Sequence, residues 1–178
     1  MNRKETTKFL TDVLISNRLS DRKYYAEEVT LDYGTNHQKR VDVIQFIPQG
    51  VLYPSQIEKG EFTFYEIKSC KEDIFSGNGL NFLGERNYIV TTMETYNKIL
   101  PMLADGSLHK YVKEHYPEST IEFGIMIPIY KDVYEEMENP TPLGGDISDW
   151  KMHIIYPCHL ACRSKSIVEL LFCMLRSK

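Results

Sequence analysis

The chain has 178 residues, of which 42% are hydrophobic and 26% charged, and its formal net charge is −4. That balance suits one globular domain with a full core, and it excludes both a disordered chain and a strongly basic nucleic-acid coat. No apolar run approaches a membrane span, and the charged start Met1-Asn2-Arg3-Lys4-Glu5 has no signal-peptide pattern, so a cytoplasmic protein without a membrane partner is expected.

From Lys4 to Arg18 the residues Thr6, Phe9, Leu10, Val13 and Leu14 recur at three-four spacing and predict an amphipathic helix, with Asn17 as its stop. Glu5 and Asp12 on this helix read as solvated surface acids. A loose alternation over residues 24–33 predicts a first strand, Gly34-Thr35-Asn36 a turn, and Arg40 to Ile47 a second strand that Pro48 ends. Residues 49–60 read as a connection to a third strand, Glu61 to Lys68, rich in aromatic and β-branched residues.

Two charges stand out in those strands. Side chains alternate across a sheet, so Glu66 and Lys68 project side by side on one face of an apolar strand. Asp42 is a lone acid in a Val/Ile/Phe run, and antiparallel pairing of the second and third strands would set it beside Glu66. An acid facing an acid and a lysine across adjacent strands fits a divalent cation, for which carboxylate oxygens suit Mg²⁺ or Mn²⁺. Lys68 would then orient an attacking water or stabilise charge developing on phosphorus.

After a helical turn near 71–75, the glycine-containing segment 76–86 reads as a loop at the mouth of this site. Lys71, Asn78, Asn81 and Arg86 are its candidate phosphate contacts. Asn87 to Thr92 predicts a strand parallel to its neighbour, followed by a helix from Thr92 with Pro101 placed to kink it and Asp105-Gly106 to end it. A short helix over 108–116 and an apolar strand over 121–129 come next, with Pro128 suggesting an edge or strand end. The acidic segment 131–149, with two prolines and two glycines, reads as a loop; residues 150–157 form a last strand. Cys158, His159 and Cys162 lack the second ligand pair of a structural zinc site, with only His153 nearby, so the four cysteines read as free thiols. A closing apolar helix starts at Ser164 or Ser166, and Arg163 and Lys165 at its start are candidate contacts to a nucleic-acid phosphate.

The ordered set Arg40-x-Asp42-Val43, then Phe64-Tyr65-Glu66-Ile67-Lys68-Ser69 and Asp73-Ile74, resembles the PD-(D/E)XK nuclease superfamily, and within it the MmcB-like branch linked to DNA repair. The resemblance covers roughly residues 25–95. Val41 stands where the superfamily's name has proline. What it implies is a single restriction-endonuclease-like domain of α/β or α+β class, with a mixed central sheet flanked by helices. The core would span about 4–130, followed by the acidic loop and the closing strand and helix of 150–178. It implies metal-dependent hydrolysis of DNA, with Mg²⁺ or Mn²⁺ held by Asp42, Glu66 and the Ile67 carbonyl, and with Lys68 positioning water. Arg40 and Ser69 join the candidate DNA contacts, Asp73 is a supporting acid, and a homodimer is compatible with the resemblance because many relatives act as dimers. The rival is a catalytically silent binding protein on the same fold, which an acidic surface would suit through a protein partner.

Overall fold

In the computed structural model, which describes residues 1–19, 24–50 and 53–177, the three-four repeat of Phe9, Leu10, Val13 and Leu14 becomes the buried stripe of helix α1 (Arg3–Leu14). Asn2 and Glu5 close a capping box at its start, and Asp12 pairs with Lys8, so both acids of this helix are held on its own surface. A π-helical turn, Ile15–Leu19, follows.

Six strands form one mixed sheet whose spatial order is the chain order: β1 (Tyr24–Leu31), β2 (Lys39–Ile47), β3 (Glu61–Ile67), β4 (Arg86–Val90), β5 (Gly124–Ile129) and β6 (Lys151–Tyr156). The first three run antiparallel, β3, β4 and β5 run parallel, and β6 returns antiparallel. Positions 51 and 52 of the β2–β3 connection lie outside the described residues. The fold is therefore mixed α+β, a six-stranded sheet with helices on both faces.

α1 covers one face, where Val43, Tyr65, Ile67, Tyr88 and Val90 pack beneath it. The other face is divided. α6 (Ile167–Arg176) lies over β1, β2 and β3 through Leu170 and Cys173, and α3 (Met93–Ala104) with α4 (Ser107–His115) covers β4 and β5. α3 runs on through Pro101, and Ser166 caps α6. Between these two covers the end of β3 is left to a cleft.

Two local departures shape that cleft. Val29, Leu31 and Val41 join Ile44 and Phe46 in one cluster, which strict alternation would forbid. Glu28 and Asp42 are the pair missing from the β1–β2 ladder, and Glu28 has φ +50, so the hairpin changes phase there. Pro128 sits inside a central strand, yet β4 pairs with β5 only as far as Met126, so no ladder partner needs a proline N–H.

The segment 131–149 is ordered rather than a loop throughout. It holds α5 (Val133–Glu138), capped by Asp132, and a short 3-10 turn, Ile147–Asp149. Glu136, 1% exposed, ties the segment together by accepting from Lys131 N and from both the N–H and hydroxyl of Thr141. Among the described residues no helix is long and apolar enough to cross a membrane.

Candidate active site

The alternation of β3 sends Phe62, Phe64 and Glu66 to the divided face, and the first two go under α6. Glu66 emerges past that cover into a cleft of about 610 Å³ lined by Asp42, Lys68, the loop 77–81, the hairpin end 38–40 and the end of α4. Continuing the register one step beyond Val43↔Tyr65 sets Asp42 opposite Glu66. Asp42 Oδ2 accepts from Ile67 N at 2.7 Å, which fixes the acid across the strand pair. Its other oxygen accepts no hydrogen bond from the described residues.

Glu66 is 0% exposed. Its Oε1 accepts from Asn81 N at 3.1 Å, and its Oε2 has no hydrogen-bond partner among the described residues, standing 3.6 Å from Lys68 Nζ. Burial pushes the Glu66 carboxyl up to about 8; the Lys68 ammonium and the Asn81 amide oppose the rise, and Asp42 adds to it. Lys68, 7% exposed, donates to Asn78 O at 3.2 Å. Its backbone is pinned by Lys68 N to Val90 O and by the Thr91 hydroxyl on Lys68 O.

The loop after α2 (Lys71–Ile74) fits closely over this pair. Gly79 has φ +72, and a Cβ there would lie 2.7 Å from Lys68 Nζ and 3.0 Å from Glu66 Oε2. Only glycine tolerates both the backbone angle and the approach. Asn81 completes the frame, its amide Nδ2 donating to Arg40 O.

Asp42, Glu66, Ile67, Lys68, Arg40, Asn78 and Asn81 are thus brought together, Asn78 through its carbonyl and Arg40 at the rim, 3.8 Å from Glu28. Ser69 and Asp73 form a separate unit: Asp73 accepts from the Ser69 hydroxyl and N–H, and Arg3 Nε of α1 donates to it at 2.9 Å. Asp73 pairs with Arg3, not Lys71. Lys71, half-exposed at the start of α2, does not line the cleft.

Three candidates are carried away from it. Arg86 opens β4 opposite Thr63 and pairs with Glu61, at the start of β3 and on the α1 side of the sheet. Arg163 pairs with Glu85 and lies over the Phe62 ring. Lys165 bridges Asp32 and Glu169. The residue that the sequence did not suggest is Tyr116, just past α4. Tyr116 lines the same cleft, and its hydroxyl is buried with no hydrogen bond among the described residues. Burial raises its pKa, with Tyr111 and Glu66 adding to the rise.

An acid with an orphaned oxygen, a second acid opposite and an ammonium beside them can bind a cation, orient water and meet a phosphate. Among the described residues no three or more His, Cys, Asp or Glu side chains gather as a ligand set, so Asp42 and Glu66 are the carboxylates available here. No family model, no curated protein and no solved structure matches the chain.

Proposed function

We propose that the chain is a metal-dependent nuclease of PD-(D/E)XK type, cleaving phosphodiester bonds in DNA at the Asp42–Glu66–Lys68 cleft. The observation that carries this reading is Glu66 Oε2: a buried carboxylate oxygen with no hydrogen-bond partner, facing a cleft beside a lysine. Leaving such an atom unsatisfied costs about 1–3 kcal/mol or more, so a site that keeps it has a use for it. The antiparallel β1–β2–β3 unit behind α1, with β4 parallel to β3, also supports the reading.

The residues fit Mg²⁺ or Mn²⁺. Two carboxylates are the usual protein share for Mg²⁺, which completes its shell with water and phosphate. Asp42, Glu66 and the Ile67 carbonyl would hold it, and when bound it supplies Lewis-acid stabilisation of the phosphate oxygens and a more acidic water. The chain's own groups have distinct tasks. Asp42 keeps β2 and β3 in register through Ile67 N while presenting its second oxygen. Lys68, held over the cleft by Asn78 O, positions the attacking water and offsets negative charge on the phosphate. The Asn81 N–H orients Glu66 so that the orphaned oxygen faces the cleft. Arg40 at the rim and Tyr116 in the lining would contact the phosphodiester backbone.

The test is Mn²⁺ titration by calorimetry, wild type against Asp42→Asn, with the same samples then incubated with single-stranded and branched DNA. Saturable binding that the variant loses, together with cleavage by wild type, is the expected result. Binding without cleavage of any DNA form would replace catalysis by the silent binding protein, and no binding at all would end the metal-dependent reading.

A further inference from the structure

We propose that a second cleft, on the α1 side of the sheet, is a binding site for a phosphate monoester carried on a small apolar or planar body. It encloses about 540 Å³ and shares no lining residue with the Glu66 cleft. It opens near the start of β3, where Thr63 and Tyr65 face the side that α1 covers farther along.

The sheet turns polar there. Gln45, Thr63 and Tyr65 are 5%, 2% and 4% exposed, in strands whose other inward residues are mostly apolar. The Tyr65 hydroxyl donates to Gln45 Oε1 at 2.9 Å, which leaves the two amide hydrogens of Gln45 Nε2 with no partner among the described residues. They are donors in a cleft wall.

Two guanidinium groups converge on the same space. Arg18 comes from the π-helical turn, a conformation common at functional sites, and donates from Nη2 to Met152 O at 2.9 Å. Asn17 Oδ1 accepts from Met152 N, so the β6 backbone holds that turn on both sides. Arg86 donates from Nε to Glu61 at 3.2 Å. A guanidinium carries five N–H donors, so each arginine is anchored by one and keeps others for a ligand. Both lie close enough to pull the Tyr88 hydroxyl's pKa down against the burial that raises it.

Among the described residues the lining contains no aspartate or glutamate, and the nearest acid placed by an ion pair is Glu61, on Arg86. A wall of donors with two guanidinium groups, one of them already sharing its charge with Glu61, matches an anion rich in acceptor oxygens, and a phosphate monoester carries about −1.5 to −2 near pH 7, where a carboxylate brings one charge. The guanidinium fork also fits phosphate oxygens two at a time. The cleft is larger than phosphate alone requires and is of small-molecule size, with Ile47, Met126 and Ile154 as apolar walls for the ligand's body.

The test uses the full chain in EDTA, so that the chemistry proposed for Glu66 plays no part, and titrates AMP, adenosine and a 5′-phosphorylated trinucleotide by calorimetry. AMP is expected to bind one to one, adenosine at least about tenfold more weakly, and Arg18→Gln and Arg86→Gln each to weaken AMP by about tenfold or more. Should Arg86→Gln fail to fold without its Glu61 pair, Gln45→Glu keeps the acceptor for Tyr65 and adds a like charge, and it must weaken AMP as well. Tighter binding of AMP identifies a free phosphorylated small molecule as the source, and tighter binding of the trinucleotide a nucleic-acid end. No binding of either phosphate, adenosine binding equal to AMP, or folded variants that bind as wild type would overturn the proposal.

Discussion

The two clefts meet the sheet at opposite ends of β3 and on opposite faces, and they handle charge in opposite ways. At the Glu66 end the ionisable groups themselves are buried: an acid at 0% and a lysine at 7% exposure face each other under Gly79. At the Arg18 end the buried groups are neutral, and the charges stand at the rim, each anchored by one hydrogen bond. Burying a charge is expensive unless it is paired, and Glu66, whose Oε2 has no donor among the described residues, keeps its proton instead. The first arrangement keeps an acid neutral beside a lysine, and the second presents donors at a cleft wall.

The comparison breaks most sharply at Lys68. If the proposed nuclease reading holds, Lys68→Ala should lower DNA cleavage by about a hundred- to a thousandfold, measured as single-turnover rates with Mg²⁺, because it removes the ammonium beside Glu66 Oε2. The pH dependence of stability is the next largest effect. Glu66 holds its proton up to about 8 in the folded chain, against an ordinary value of 4.5 when unfolded. The unfolded chain therefore releases that proton first. In EDTA, stability should fall as pH rises from about 4.5 to about 8 and level off above, by an amount on the order of a few kcal/mol. Glu66→Gln should flatten that slope in urea titrations at pH 5 and pH 8, and an unchanged slope would show that the carboxyl is not held neutral.

Glycine substitutions sharpen the same contrast. Gly77 and Gly79 both have positive φ, but a Cβ at Gly77 meets nothing within 4 Å while one at Gly79 meets both members of the charged pair. Each alanine should cost about 1 kcal/mol of backbone strain in thermal unfolding, and only Gly79→Ala should also weaken Mn²⁺ binding, by about tenfold. Tyr116→Phe removes a buried hydroxyl that has no partner and should raise stability by about 1 kcal/mol in urea unfolding while slowing cleavage. The smallest effect belongs to Lys165→Met, which breaks a bridge between Asp32 and Glu169. It should cost no more than about 1 kcal/mol and leave the cleavage rate unchanged.

Strand alternation made the centre of the site legible: Glu66 and Lys68 share a face by period, and Asp42 meets Glu66 because consecutive antiparallel strands pair. The same geometry explains the candidates that lie elsewhere. β4 is parallel to β3, so the chain between them must travel back the whole length of the strand, and Arg86, close to Lys68 in sequence, reappears beside Thr63. Sequence nearness to Lys68 was the wrong measure for it. Asp73 pairs with Arg3 across 70 positions, a contact that α1 docking creates and no local pattern announces. Tyr116 reaches the cleft through the packing of α4, which spacing alone does not encode. The helix in the acidic segment did leave a signal, Asp132 followed three residues later by Glu135, but the prolines and glycines after it dominated the composition.

Because the strands stand in space in the order in which they are translated, each one finds its neighbour already present when it emerges. No late strand has to be inserted between two that are already paired. The frame that carries Asp42, Glu66 and Lys68 can therefore assemble from its own hairpin-linked segments during synthesis, before α6 arrives to close the face over β1, β2 and β3.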